Sequence, residues 1–227
     1  MDTIILFVLG TVVGSFLNVL ALRYPKLPMA RSACPKCGTR LQWFELVPFL
    51  SFLALGGSCR TCRAKISLQY PMVELWTGLV FVTVPLLFIP VFCLYITIAI
   101  YDWHHKIIPD GFVYPAILLS IVGGGWLAGL ILFAFFASIW LLSRGKAMGF
   151  GDAKLGASIG FLLGAPLALS GIILAFWIGA LYGITLMLFG RKNITIKSEV
   201  PLAPFMVLGA WLSLIFQLDL LQIAALF

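Results

Sequence analysis

The chain has 227 residues, 62% of them hydrophobic and 10% charged, and a net charge of +7. A soluble domain carries roughly a quarter charged residues, so the composition excludes an ordinary water-soluble fold and implies an all-α, polytopic membrane protein with its backbone amides satisfied inside helices. The positive balance does not indicate a nucleic-acid partner, because Lys and Arg fall in short loops between apolar runs rather than on one soluble face.

Eight apolar segments follow one another, at about 3–22, 72–89, 90–101, 111–124, 126–142, 153–165, 167–189 and 201–220. A transmembrane helix takes roughly 17–25 apolar residues. The third, fourth and sixth segments are short by that measure and must extend through their polar ends, tilt, or lie half-buried in the bundle. The first segment has no basic leader before it and is too long for the core of a cleavable signal, so it reads as a retained helix. Within it Ser15 and Asn18 share a face beside Gly14, which reads as interhelical hydrogen bonding at a close approach.

The loop 23–71 is the only soluble-looking piece. It holds Cys34-Pro-Lys-Cys37 and Cys59-Arg-Thr-Cys62, with 21 residues between the pairs. Two such pairs can close one tetrahedral structural Zn²⁺ site, with four free thiols or two disulfides as the alternatives. A loop this short builds little core, so the metal would supply its folding energy. The apolar, aromatic stretch 41–50 between the pairs is expected on the membrane surface or against the metal module. The predicted organisation is a first transmembrane helix (1–22), a cytoplasmic four-cysteine metal loop (23–71) and a membrane-embedded bundle (72–227).

Glu74 stands at the start of the second segment. There it either suits the helix dipole or contacts a cationic substrate or cofactor. Pro85 and Pro90 favour a turn between the second and third segments, with a single kinked helix as the alternative. Charge chooses between them. With eight spans, all fifteen Lys and Arg fall on one side, including Arg191, Lys192 and Lys197 of the loop 190–200. The positive-inside rule makes that side cytoplasmic and leaves both termini outside.

The same assignment brings two carboxylates to the cytoplasmic face. Asp102 closes the third segment, where the helix dipole disfavours a negative charge. Asp152 lies in Gly149-Phe150-Gly151-Asp152, between two apolar runs. A carboxylate at the edge of a hydrocarbon slab is costly and is a functional hypothesis by default. The two glycines are expected to let backbone pack closely and turn around it. Asp110, after a proline and before an apolar run, reads as the N-cap of the fourth segment. Lys154 reads as an interfacial side chain reaching for water, with a role in lowering the pKa of Asp152 or binding a lipid phosphate as the alternatives. His104 and His105 point apart on a helix and read as interfacial. The last segment opens with Val200-Pro201-Leu202-Ala203-Pro204-Phe205, whose prolines interrupt the helix start.

Two carboxylates meeting at one face suit peptide-bond hydrolysis by a shared-proton pair. Two other functions start from the same residues: a proton-coupled transporter with Asp102 and Asp152 as its relay, or an assembly protein docking a partner through its metal module. No inverted repeat supports the transporter, and its acids would be expected near the middle of the bilayer.

These motifs together resemble the type IV prepilin peptidase family, the leader peptidase–N-methyltransferases. The resemblance rests on Gly14-Ser15-Phe16-Leu17-Asn18-Val19 with Arg23 and Pro25, and on the four cysteines with Glu45 and Pro48. It continues through Ile66-Ser67, Tyr70-Pro71 and Glu74, then Asp102 with Ile108-Pro109-Asp110, and Gly149-Phe150-Gly151-Asp152. Val200-Pro201-Leu202-Ala203-Pro204-Phe205 is a degenerate form of the family's last-helix opening. Gly-x-Gly-Asp alone also resembles presenilin-like proteases; the cysteine pairs and eight-segment layout make it specific. The resemblance implies a bacterial inner-membrane enzyme with Asp102 and Asp152 catalytic, supported by Gly149, Gly151 and Lys154. Its substrates would be prepilins or pseudopilins with a basic leader before a hydrophobic helix. It also implies methylation of the new amino terminus with S-adenosylmethionine, for which Glu45 and Glu74 are the candidate residues.

Overall fold

The computed structural model describes residues 2–26, 31–189 and 200–219. The predicted basic loop with Arg191, Lys192 and Lys197 lies outside the described residues. Among the described residues there is no strand, only two isolated bridges, Ala33 to Arg40 and Ser58 to Lys65. The protein is all-α, as its composition demands.

The chain forms two compact units, Met1–Pro85 and Leu86–Phe227. In the first, helix α1 (Thr3–Arg23) packs along α3 (Gln69–Thr83), and the short α2 (Leu50–Ala54) lies in the connection between them. The second contains α4 (Ile89–His105), α5 (Asp110–Ser120), α6 (Trp126–Leu142), α7 (Phe150–Leu163), α8 (Ala165–Phe189) and α9 (Ala203–Phe216). Each of the eight predicted apolar segments therefore carries a helix. Thr3–Arg23, Leu86–His105 and Ala165–Phe189 are long and apolar enough to cross a membrane by length and composition.

The break near Pro90 is a break between two helices. Val84 leaves α3 with an extended backbone, a single 3-10 turn follows at Leu86–Phe88, and Pro90 sits in the first turn of α4. Proline is accommodated there because its missing N–H would have had no intrahelical partner.

Packing within each unit runs on close backbone approach. Gly14 of α1 sits so near α3 that a Cβ would fall 2.8 Å from the Thr77 hydroxyl and 3.0 Å from the Glu74 Cα. Gly160 of α7 is equally tight on α6, with a Cβ position 2.6 Å from the Gly129 backbone. Such small-residue contacts let helices associate where lipid is as apolar as any side chain. Around α4 and α7 the second unit buries Phe92, Tyr95, Ile96, Phe136, Leu155, Ile159 and Met206 almost completely. A polar chain runs through this core: Tyr95 Oη to Ser158 Oγ is 2.9 Å, and Ser158 Oγ donates to Ser120 Oγ at 3.2 Å. It ties α4 to α7 and α7 to α5 where each free hydroxyl would be costly.

Candidate active site

Asp102 lies near the carboxyl end of α4 and is 5% exposed. Its position looks unfavourable until its partner is found. Asp102 Oδ2 accepts the backbone N–H of Ala203 at 3.2 Å. Ala203 is the first residue of α9, so the carboxylate of one helix end meets the amide-rich start of another. The Pro201 and Pro204 segment thus supplies a donor to Asp102 where the sequence alone showed only an interrupted helix.

Asp152 occupies the first turn of α7 and is 9% exposed. Its Oδ2 accepts the N–H of Gly149 at 3.2 Å, closing the carboxylate over its own helix start. Asp102 lies near enough for its charge to act on Asp152. The structure therefore buries both of the acids that the sequence placed on separate helices.

The glycines around Asp152 differ. A Cβ at Gly151 would fall 2.7 Å from the Cβ of Ile108, so no larger residue fits without a shift. A Cβ at Gly149 would make ordinary contacts with Asp152 Oδ2, at 3.7 Å, and the Gly151 N, at 3.9 Å, and its φ of −75° is open to any residue. The expectation of close packing and an unusual turn holds for the approach at Gly151 and fails at Gly149.

Two further expectations are corrected. Asp110 is not an N-cap: Pro109 occupies the cap position, no side-chain cap bond forms, and Asp110 opens the helix itself. Its carboxylate instead accepts the Lys154 ammonium. Lys154 accordingly does not reach freely for water. Its side chain is 13% exposed, and its Nζ lies 4.7 Å from the Tyr114 ring centroid and 5.4 Å from that of Phe150. Residues two apart on a helix point away from one another, so Lys154 and Asp152 leave α7 on different faces.

The first unit holds the cysteines. Each pair forms the same small turn. Cys34 N–H donates to Thr39 O and Gly38 N–H to Cys34 O; Cys59 N–H donates to Ala64 O and Arg63 N–H to Cys59 O. Gly38 and Arg63 occupy matching left-handed positions, at φ 69° and 56°. The two turns bring Cys34, Cys37, Cys59 and Cys62 together, all Sγ atoms within 4.8 Å. All four are free thiols. Cys34 Sγ stands 3.8 Å from Cys62 Sγ, and Cys37 Sγ 4.0 Å from Cys59 Sγ. Thiolates about 2.3 Å from a tetrahedral zinc stand about 3.8 Å apart, so this donor set fits the ion in number, type and spacing. Hydrogen bonding with the Thr39 side chain and backbone brings the Cys37 thiol down to about 6, while burial and the neighbouring cysteines push Cys62 up to about 11.

Beside the cysteine turns lies a cavity of about 490 Å³. Its walls include Ser15, Cys34, Glu45, Cys59, Tyr70 and Glu74, with Arg23, Lys36, Arg60 and Lys65 as its cations. Both acids predicted for a cofactor therefore line one space. Glu45 Oε2 accepts the Gln42 N–H at 2.7 Å. Glu74 is not a helix-start residue, because α3 begins at Gln69, with Pro71 in its first turn and no acid there. It is 7% exposed, accepts the Phe49 N–H at 2.8 Å and is hydrogen-bonded by Ser15. Asn18, on the same face of α1, accepts from Gln69 Nε2 at 3.3 Å. Ser15 and Asn18 thus make the predicted interhelical bonds, and Ser15 also faces the cavity. Of the stretch 41–50, Phe44 lies beneath the Arg60 guanidinium at 5.5 Å, while Trp43 is exposed.

Comparison with known proteins covers nearly all of this architecture. Residues 8–88 match the Bacterial Peptidase A24 N-terminal domain, and residues 86–184 match the Type IV leader peptidase family. A protein of Bacillus subtilis is 34% identical, over 93% of this chain and 93% of its own. One of Myxococcus xanthus is 35% identical over 82% of this chain and 63% of its own. One of Pseudomonas aeruginosa is 29% identical over 91% and 88%. All three are named prepilin leader peptidase/N-methyltransferase. No solved structure matches the chain. Identity sustained across almost the whole length, with both domain matches in the expected order, shows that the chain belongs to the type IV leader peptidase family.

Proposed function

We propose that the protein is an inner-membrane aspartic endopeptidase that removes the short basic leader of type IV prepilins or pseudopilins at the cytoplasmic face, and that it methylates the new amino terminus with S-adenosylmethionine. The observation that carries the first half is the pair Asp102 and Asp152: two buried carboxylates from separate helices, each accepting one backbone N–H, with the charge of Asp102 acting on Asp152. Carboxylates so placed share one proton. The ionised member takes a proton from water as the water oxygen bonds to the scissile carbonyl carbon. The protonated member gives its proton to the carbonyl oxygen. Collapse of the resulting diol breaks the C–N bond: one member gives its proton to the leaving nitrogen and the other takes the proton of a diol hydroxyl, which restores the pair with one proton. The Ala203 and Gly149 amides fix one oxygen of each acid and leave the other for this exchange.

Eight spans with both termini outside are the topology that this reading requires. The concentration of Lys and Arg on one side supports it. The substrate's hydrophobic helix would then lie in the bilayer, with its leader among the cytoplasmic loops.

The cavity of the first unit supports the second activity. Its volume falls within the roughly 300–1,000 Å³ of small-molecule sites, and its lining of acids and cations suits a ligand carrying both charges. Bound there, S-adenosylmethionine would supply an electrophilic methyl group. Glu45 and Glu74 would face its cationic groups and the incoming amine, and the Lys and Arg side chains its carboxylate. A Zn²⁺ held by Cys34, Cys37, Cys59 and Cys62 would be structural, since four protein thiolates would leave no open position.

The test is cleavage of a prepilin by purified protein in detergent. Wild type releases the leader. Asp102→Asn and Asp152→Asn each lose about 10³-fold in kcat at wild-type expression, the scale of a lost general acid or base. Retained cleavage in either variant removes that residue from the pair.

A further inference from the structure

We propose that Lys154 and Asp110 form a positioning strut that holds Asp152 in register with Asp102; this rests on the peptidase reading of those two acids. The strut acts through the connector between α4 and α5. That connector leaves α4 at Lys106 and is tied back to Asp102 itself. Lys106 adopts a left-handed conformation, φ 55°, and donates its N–H to the Asp102 carbonyl at 2.7 Å. It ends at Asp110, the first residue of α5.

The first turn of α7 grips this connector at two points. The backbone at Gly151 presses on Ile108, with no space for a Cβ between them. One turn on, the Lys154 ammonium closes on the Asp110 carboxylate and is roofed by the Tyr114 and Phe150 rings. A lysine that only needed solvation would extend its flexible stem to water. The Lys154 side chain is 13% exposed, although that of Asp110 is 62% exposed, and a carboxylate and two ring faces surround the ammonium, an arrangement that favours one geometry of the lysine.

Deeper in the bundle the Tyr95–Ser158–Ser120 chain pins the same three helices. Ser158 lies six residues beyond Asp152, so that pin alone leaves the first turn of α7 free to rock about it. The strut removes this freedom at the level of the carboxylates. Its charge is directed at α5 and away from Asp152, so it acts on geometry rather than on the field at the acids.

The experiment measures kcat and KM for prepilin cleavage, with thermal melting of each purified protein in parallel. Displacing a catalytic group by about 1 Å costs on the order of 10²-fold. K154M and D110N are therefore expected to lower kcat about 10- to 100-fold with KM within about threefold. The swapped pair D110K/K154D is expected to recover at least about tenfold over the weaker single variant, as coupled residues in contact do. Singles within twofold of wild type overturn the proposal. So does a well-folded swap no faster than the singles, which would assign the effect to the lysine charge itself. If the singles melt too low to assay, K154R carries the test: activity near wild type upholds the strut, and a folded but inactive K154R overturns it. A wild-type protein that fails to cleave prepilin refutes the peptidase reading before any variant is made, and the strut falls with it.

Discussion

The two compact units keep their functional residues in place by different means. In the bundle of Leu86–Phe227, helices meet backbone to backbone and enclose a dense apolar core around α4 and α7. The acids there are positioned by packing. In Met1–Pro85 only α1 and α3 pack in that way, and the connection carrying the cysteines leaves Trp43, Leu46, Leu50 and Leu53 exposed. Its two turns are organised by four thiols converging on one point. A metal can do for a short polar loop what burial does for a helix bundle. The difference predicts that the two activities fail under different treatments.

Metal removal should separate them most sharply. Cys34 and Cys59 are both ligand candidates and cavity walls, so losing the ion loosens the wall itself. Stripping with a strong chelator, or Cys59→Ser, is expected to lower methylation about 100-fold while prepilin cleavage stays within about threefold, given the scale of structural-zinc stabilisation. Equal loss of both activities would erase the distinction and place the cysteine module inside the peptidase site. Glu74 should give the next largest effect. Glu74→Ala removes the acceptor of the Phe49 N–H and of Ser15 at once. Methylation should fall about 30-fold, with the half-buried donors left without this acceptor. Glu74→Gln keeps an acceptor oxygen and separates the two roles: recovery assigns Glu74 to holding the Phe49 turn, while continued loss assigns its charge to the methyl-transfer reaction.

Within the bundle, the two glycines before Asp152 sharpen the same contrast at smaller scale. Gly151→Ala drives a Cβ into Ile108, at a cost of about 1–3 kcal/mol for an overpacked contact. It should lower kcat for cleavage about tenfold without affecting methylation. Gly149→Ala adds a methyl group in ordinary contact and should cleave within about twofold of wild type. If the order reverses, the glycine motif serves a turn not seen in this state of the site.

Patterns contained in one segment were readable in the sequence. The cysteine pairs carry their ligand geometry in a spacing of three residues, and the apolar runs carry the helices. Asp102 and Asp152 stood out because an acid beside an apolar run needs a reason. What escaped were pairings between segments far apart in the chain. Asp110 looked like a cap because its neighbours allowed it, and its partner lies 44 residues on. Glu74 stayed open between a helix-start role and a cofactor contact because Pro71 hides the true beginning of α3 at Gln69, two residues earlier. Ala203 offered no side-chain signal, since it serves Asp102 through its backbone amide.

The smallest effect probes the bundle's own rigidity. Tyr95 is completely buried, and its hydroxyl has one partner, Ser158, which in turn donates to Ser120. Tyr95→Phe removes one bond from this chain and leaves the ring in place. The expected loss of stability is about 1 kcal/mol, the net worth of a buried hydrogen bond, read as a lower melting temperature in detergent. Ser158 keeps Ser120 as a partner, so the loss should stay below that of Ser158→Ala, which leaves the Tyr95 hydroxyl unpaired and Ser120 with only the Ile117 carbonyl. Cleavage should change less than in Gly151→Ala, because the first turn of α7 keeps its grip on the 106–110 connector. A Tyr95→Phe variant as impaired in cleavage as Gly151→Ala would mean that the deep polar chain, not the connector, sets the spacing of the two acids.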